Sequence, residues 1–361
     1  MIPMEGTGRQ SCESGLYDAI LLVSFGGPDG PDDVMPFLEN VLRGRPVPRE
    51  RMLEVAEHYH HFGGKSPINE QNRLLIAALR KELDARGPHL PIYWGNRNWH
   101  PLLSDTLAQM AADGVRRAIA LVTSGFSCYS GCRQYRENII AACTAAGPSA
   151  PQVDKIRVFF NHPGFVETMA ANVRSAIGSL GAVTGRMPVL FTAHSIPTSM
   201  AESSRYVAQL EESSRLVAGA AGLADWRLVY QSRSGPPTQP WLEPDVCDAI
   251  RELHGAGCTQ IAIAPIGFVS DHMEVLYDLD TEAADLCRSL GVRMARVATA
   301  GTAPAFVAML RDLIAERHFQ LPDRPAIGLL PASHDVCPVD CCPAPVGRPA
   351  GPATPGGARP S

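Results

Sequence analysis

Eight short apolar runs recur along the chain, at 19–25, 91–95, 117–123, 157–161, 188–193, 227–231, 260–266 and 292–297, and the stretches between them read as helices. Strands that alternate with helices need crossover connections, so the pattern predicts an α/β protein whose parallel sheets carry helices on both faces. The first four runs and the last four make two similar halves. That predicts two Rossmann-like domains facing a central cleft, with ligands bound beyond the carboxyl ends of the strands. His194, Glu274 and the loop after Thr123 all follow strand ends. The stretch 304–318 again alternates at helical spacing, whereas from Pro322 onward the chain is rich in Pro, Gly and Ala, with too few large apolar residues to offset ordering entropy. The expected layout is a flexible arm at 1–15, a first domain at 16–180, a second at 181–303, the helix 304–318, a cysteine-bearing extension at 319–342 and a disordered tail at 343–361.

Composition narrows the function classes. With 361 residues and 45% hydrophobic composition, the chain is long enough for two linked cores. A net charge of −5 leaves no basic excess for gripping nucleic acid. Residues 1–14 lack the apolar core of a signal peptide and no apolar run is long enough to span a bilayer, so a soluble cytoplasmic protein is expected. In that compartment the 10 cysteines are read as buried thiols and metal ligands before disulfides. The turn after the first run, Phe25-Gly26-Gly27-Pro28-Asp29-Gly30, has glycines but also a proline, and no Gly-x-Gly-x-x-Gly follows; a dinucleotide site is disfavoured.

Two strand ends carry the candidate chemistry. The run ending Thr192-Ala193-His194-Ser195-Ile196-Pro197 delivers an imidazole, and the run at 260–266, continued by Ser270-Asp271-His272-Met273-Glu274, delivers a carboxylate. Such a pair can hold a divalent metal and accept protons. Asp278 and Glu282 follow Glu274 at intervals of four, so a helical segment lines all three along one face. A solvated acidic face has the same spacing, but this row starts from a buried strand end, where charge is costly unless used or paired.

These strings, together with Ile20-Leu21-Leu22-Val23-Ser24-Phe25-Gly26-Gly27-Pro28, His61-Phe62-Gly63-Gly64-Lys65-Ser66-Pro67-Ile68 and the segment from Gln231-Ser232 to Trp241-Leu242-Glu243-Pro244, resemble the ferrochelatase family across 17–317. The resemblance implies an enzyme, a lyase of haem biosynthesis, that inserts Fe2+ into a porphyrin. It implies that His194 accepts pyrrole protons and touches the metal beside Glu274, and that Asp278 and Glu282 line a metal or proton path on a wide helical turn. Asp271 and His272 would orient Glu274. Ser66 would contact a propionate, Tyr135 would line the macrocycle, Phe25 would stack on it, and Tyr59, Arg43 and Arg45 would lie on the carboxylate side. Ser66 followed by Pro67 also suits a helix cap. The helix equivalent to 304–318 crosses back to the first domain in this family. The chain departs from soluble Gram-positive relatives at Phe25, often Tyr there, and at Leu42 or His58, where a basic residue is common; phenylalanine cannot ligate iron.

A second constellation, Cys337-Pro338-Val339-Asp340-Cys341-Cys342, sits in a polar segment with no core to hide thiols, unlike Cys143, Cys247, Cys258 and Cys287. Some ferrochelatases hold a 2Fe-2S cluster with one internal and three C-terminal cysteines. By that resemblance the ligands are Cys128, Cys337, Cys341 and Cys342, with Cys132 as the alternative internal residue and a Cys₄ zinc site as the alternative centre. The expected substrate is coproporphyrin III, giving Fe-coproporphyrin III, with protoporphyrin IX as the alternative. The other function class is a non-catalytic tetrapyrrole carrier of the same fold. A monomer is expected, in transient contact with porphyrin-supplying and haem-accepting enzymes, without nucleic acid or integral membrane association.

Overall fold

The computed structural model describes residues 15–44, 47–181, 186–235 and 238–345. In its first half, β1 (Ala19–Ser24) leads through α1 (Val34–Val41), α2 (Arg49–His61) and α3 (Ile68–Arg86) to β2 (Ile92–Asn96). There follow α4 (Leu103–Ala112), β3 (Arg117–Val122), α5 (Gln134–Ala146), β4 (Gln152–Lys155) and α6 (Pro163–Ser179). The second half runs β5 (Val189–His194), α7 (Thr198–Glu202), α8 (Tyr206–Ala221), β6 (Trp226–Gln231), α9 (Val246–Gly255) and β7 (Gln260–Ala264). It continues with α10 (Met273–Val275), a π-turn (Leu276–Ala283), α11 (Ala284–Leu290), β8 (Arg293–Arg296) and α12 (Pro304–His318).

Each half builds one parallel four-stranded sheet flanked by helices, in the orders β2-β1-β3-β4 and β6-β5-β7-β8. β1 and β7 are buried at every position, because helices cover both faces of these inner strands; their sequences therefore read as unbroken apolar runs. Chain order reverses between β1 and β3 and again between β5 and β7. Those are the switch points at which α/β folds open a crevice for ligands, and His194 ends β5 there.

One expected strand is misplaced. The run 157–161 is not a strand; the fourth strand lies earlier, at Gln152–Lys155, paired with β3 through Arg117 to Gln152 and Ala120 to Lys155. This edge strand carries one large apolar residue, so its signal is faint. The apolar run beyond it is buried for another reason. Phe159 and Phe160 are wedged into a core shared by both halves, where Phe159 meets the rings of Phe165 and Phe306 at 5.9 Å. Burying each such ring contributes about 1.5–3 kcal/mol.

α12 packs against α3 and α6, and its Glu316 receives Arg157 in a fully buried two-bond ion pair at 2.8 and 2.9 Å. After α12 the described residues hold no further helix or strand, yet the chain is fastened along its length. Arg157 donates to the Pro325 carbonyl at 3.0 Å, Ile327 N to the Asn161 carbonyl at 3.0 Å, and Asn161 Nδ2 to the Leu330 carbonyl at 2.7 Å. Residues 1–14 and 346–361, most of the expected arm and tail, lie outside the described residues. No described helix is long and apolar enough to cross a membrane.

Candidate active site

The end of β5 and the short helix α10, reached through the loop after β7, bring the imidazole and the carboxylate together, so Glu274 sits half-exposed beyond the strand and not at its buried end as expected. His194 Nε2 lies 3.5 Å from Glu274 Oε2. The other ring nitrogen, Nδ1, faces the Ser195 carbonyl at 2.5 Å. A carbonyl only accepts, so Nδ1 carries a hydrogen, and Nε2 is the ring nitrogen turned toward Glu274. Close approach of the two loops depends on Gly267, where a Cβ would sit 2.7 Å from the Ala193 Cβ. From behind, the buried Tyr206 hydroxyl donates to the His194 carbonyl at 3.1 Å.

Asp278 and Glu282 lie on the π-turn Leu276–Ala283, a wide helical turn of the kind often found at functional sites. Asp278 accepts hydrogen bonds from Ser232, whose backbone is held at φ 62°, and from Gln231 Nε2 at 3.2 Å. Burial, aided by the charges of Glu274 and Glu282, pushes Asp278 up to about 7. Glu282 lies at the surface end of the row, where partial shielding of its carboxyl and the nearby Asp245 charge raise it as well. The Asp271 carboxylate is engaged by Arg296 and its backbone N–H donates to Gln71 of α3, so it is not the group that orients Glu274. Burial lowers the His272 imidazole from its usual range, and the ring packs edge-on against Phe268.

The first half meets this row through α2. Burial and the adjacent Glu274 charge push the Tyr59 phenol far up, and His58 stacks on Tyr277. Tyr59 contacts Phe37, which touches Phe25 and Trp99 in turn. Phe25 is 36% exposed and lies under the Arg97 guanidinium. Tyr135 lies deeper than expected for a ring lining a macrocycle. It is 5% exposed, and Arg97 covers its ring at 4.5 Å. Ser66 is buried against Gly27 and makes no side-chain cap; the N-terminal position of α3 falls to Pro67. Arg43 is exposed and donates to Asn40, and Arg45 lies outside the described residues.

Among the cysteines, the structure replaces one expected residue. Cys132, not Cys128, meets the tail: its thiol contacts Cys337, which contacts Cys341, and Cys341 Sγ is 3.7 Å from Cys342 Sγ. The four thiols line one narrow space with Lys155, Arg133 and Arg136. Cys128 instead turns inward, where its buried sulfur accepts from the Gly131 N–H at 3.1 Å and starts the turn that carries Cys132. Arg133 fixes the tail by donating to the carbonyls of Val339 at 3.0 Å and Cys341 at 3.2 Å. His334 joins the group, with the ligand atoms of His334, Cys337 and Cys341 within 4.8 Å of one another.

Sequence reasoning passed over Arg97, Tyr206, Lys155 and His334. Each is an ordinary loop, helix or edge-strand residue in the sequence, and only folding brings it to the site.

Two parallel α/β sheets, with an imidazole and a carboxylate row at the switch point of one, define a chelatase-like protein. The solved structure of SirB from Bacillus subtilis with Fe3+ shares this fold at TM-score 0.50 and 11% identity, covering 84% of this chain and 96% of that one. Residues 17–318 match the family model for ferrochelatase. A protein named ferrochelatase from Rhodopirellula baltica is 65% identical over 90% of this chain and 93% of its own length. One named coproporphyrin III ferrochelatase from Streptomyces coelicolor is 53% identical over 92% and 95%. The chain belongs to the ferrochelatase family, and is thereby a metal-chelating enzyme of haem biosynthesis.

Proposed function

We propose that this chain inserts Fe2+ into coproporphyrin III to give Fe-coproporphyrin III. The observation that carries the reading is the His194–Glu274 pair, with Nδ1 of the imidazole held by the Ser195 carbonyl and Nε2 turned toward the carboxylate. The coproporphyrin name of relatives at 53% and 52% identity supports the choice of porphyrin.

Metallation requires loss of two pyrrole protons and of water from the iron. His194 Nε2 has a single lone pair, so it takes a proton or touches iron, never both at once; Glu274 fills the other role at each moment. Glu274 is half-exposed and passes protons to solvent, and Asp278 and Glu282 carry iron or protons along the π-turn. With Asp278 near 7, that carboxyl exchanges protons at neutral pH. Phe25, Tyr59 and Ser66 form the porphyrin side, and Tyr135 backs it from below the Arg97 guanidinium that lies over both its ring and that of Phe25.

The thiols of Cys132, Cys337, Cys341 and Cys342 suit a sulfur-bound centre: they touch in series, each meeting the next, and the Lys155 ammonium against Cys132 offsets negative charge. We assign them as ligands of a 2Fe-2S cluster, which would supply a redox-active, tail-ordering cross-link and would not itself touch the iron or the porphyrin during insertion. The protein is assigned to the cytoplasm as a monomer that receives porphyrin from, and passes product to, neighbouring enzymes. Anaerobic Fe2+ insertion run in parallel with the two porphyrins tests the reading. A clearly higher kcat/KM for coproporphyrin III is expected; a higher value for protoporphyrin IX would reverse the choice of substrate.

A further inference from the structure

One face of α8 touches three distant parts of the molecule. Tyr206, Gln209, Glu212 and Ser213 follow one another at helical spacing, and all are buried. Tyr206 donates to the His194 carbonyl at 3.1 Å. Gln209, one turn on, makes a paired contact with Ser127: its Oε1 accepts from Ser127 N at 2.7 Å and its Nε2 donates to Ser127 Oγ at 3.1 Å. Ser127 precedes Cys128, whose carbonyl accepts from Cys132 N at 3.0 Å and whose sulfur accepts from Gly131 N. Glu212, a further turn along, accepts the N–H of Leu329 in the C-terminal extension, and Ser213 donates to the Phe160 carbonyl at 2.8 Å.

We propose that Tyr206 and Gln209 are positioning residues for His194, through which the thiol centre of Cys132, Cys337, Cys341 and Cys342 sets the placement of the imidazole. The inference rests on the roles proposed above for His194 and for these thiols. A centre bound between Cys132 and the tail holds both ends of the linkage, the loop through Cys132 and Cys128 and the extension through Arg133 and Leu329. Gln209 both donates to and accepts from one residue, so the loop cannot rotate without stranding a buried polar group. Helix and loop therefore move together. Tyr206 passes that displacement to the backbone from which His194 hangs, and Ser195, whose carbonyl orients the ring, is the next residue.

A coupling of this kind is measured by a double-mutant cycle with a structural readout. Cys341→Ser removes a tail thiol without touching the loop or α8. In the otherwise wild-type protein it should raise amide exchange across 189–198 by about tenfold and lower kcat several-fold at constant porphyrin KM, coupling being commonly about 5- to 150-fold. In a Gln209→Leu background, Cys341→Ser should add nothing. Gln209→Glu, which keeps the acceptor for Ser127 N, should restore part of the coupling. Tyr206→Phe should lower kcat with metal content unchanged. Equal effects of Cys341→Ser in both Gln209 backgrounds, or exchange across 189–198 that ignores Cys341→Ser, would overturn the proposal. Loss of the exchange coupling in a protein whose His194→Ala variant is inactive rejects the inference alone. Full activity of His194→Ala rejects the reading on which it rests.

Discussion

His58 of α2 lies flat on Tyr277 of the π-turn, their ring centroids 3.7 Å apart and their planes 6° from parallel. The two halves thus touch directly one residue from Asp278. Aromatic pairs contribute about 0.5–1.5 kcal/mol beyond the area they bury. His58→Ala should lower unfolding stability in urea by about 1 kcal/mol and His58→Phe should recover it. An unchanged midpoint in the alanine variant would mean that the contact carries no energy.

Asp278 makes a pH-dependent prediction. Its carboxyl is pushed from 3.8 to about 7, chiefly by burial. Between those values the folded protein keeps a proton that the unfolded chain has lost, so this group's share of stability is complete below pH 3.8 and disappears as pH rises through about 7. Asp278→Asn cannot ionise. Its melting temperature relative to wild type should therefore climb from about pH 5 to about pH 8. A difference that stays constant over this range would show that Asp278 is not the titrating group.

Much of this was legible in the sequence, and the gaps have physical causes. The inner strands β1, β3, β5 and β7 announce themselves because both their faces are covered, which forces near-continuous apolar runs. β4 is an edge strand with polar residues, and its neighbour 157–161 imitates a strand because it is pressed between the halves. His194 is legible since it ends such a run, and Glu274 since it lies beyond the loop that leaves one. Cys128 and Cys132 are four residues apart and equally buried, so sequence does not tell which sulfur turns toward a tail two hundred residues later. Tyr206 and Gln209 look like any buried helical face.

The choice of internal cysteine is open to a direct test. Cys132→Ser should abolish the visible absorption and the reduced-state paramagnetic signal expected of a 2Fe-2S centre in protein purified without oxygen, and Cys128→Ser should retain both. Zinc in place of iron, lost in the same variant, would keep the ligands and change the metal. Retention of the centre in Cys132→Ser would remove Cys132 from the set.

Anaerobic insertion of Fe2+ into coproporphyrin III by His194→Ala tests the central assignment most directly. If the Nε2 lone pair beside Glu274 takes the pyrrole protons, the variant should lose at least about a hundredfold in kcat while still binding porphyrin, the usual contribution of a general base. Turnover near wild type would contradict the account.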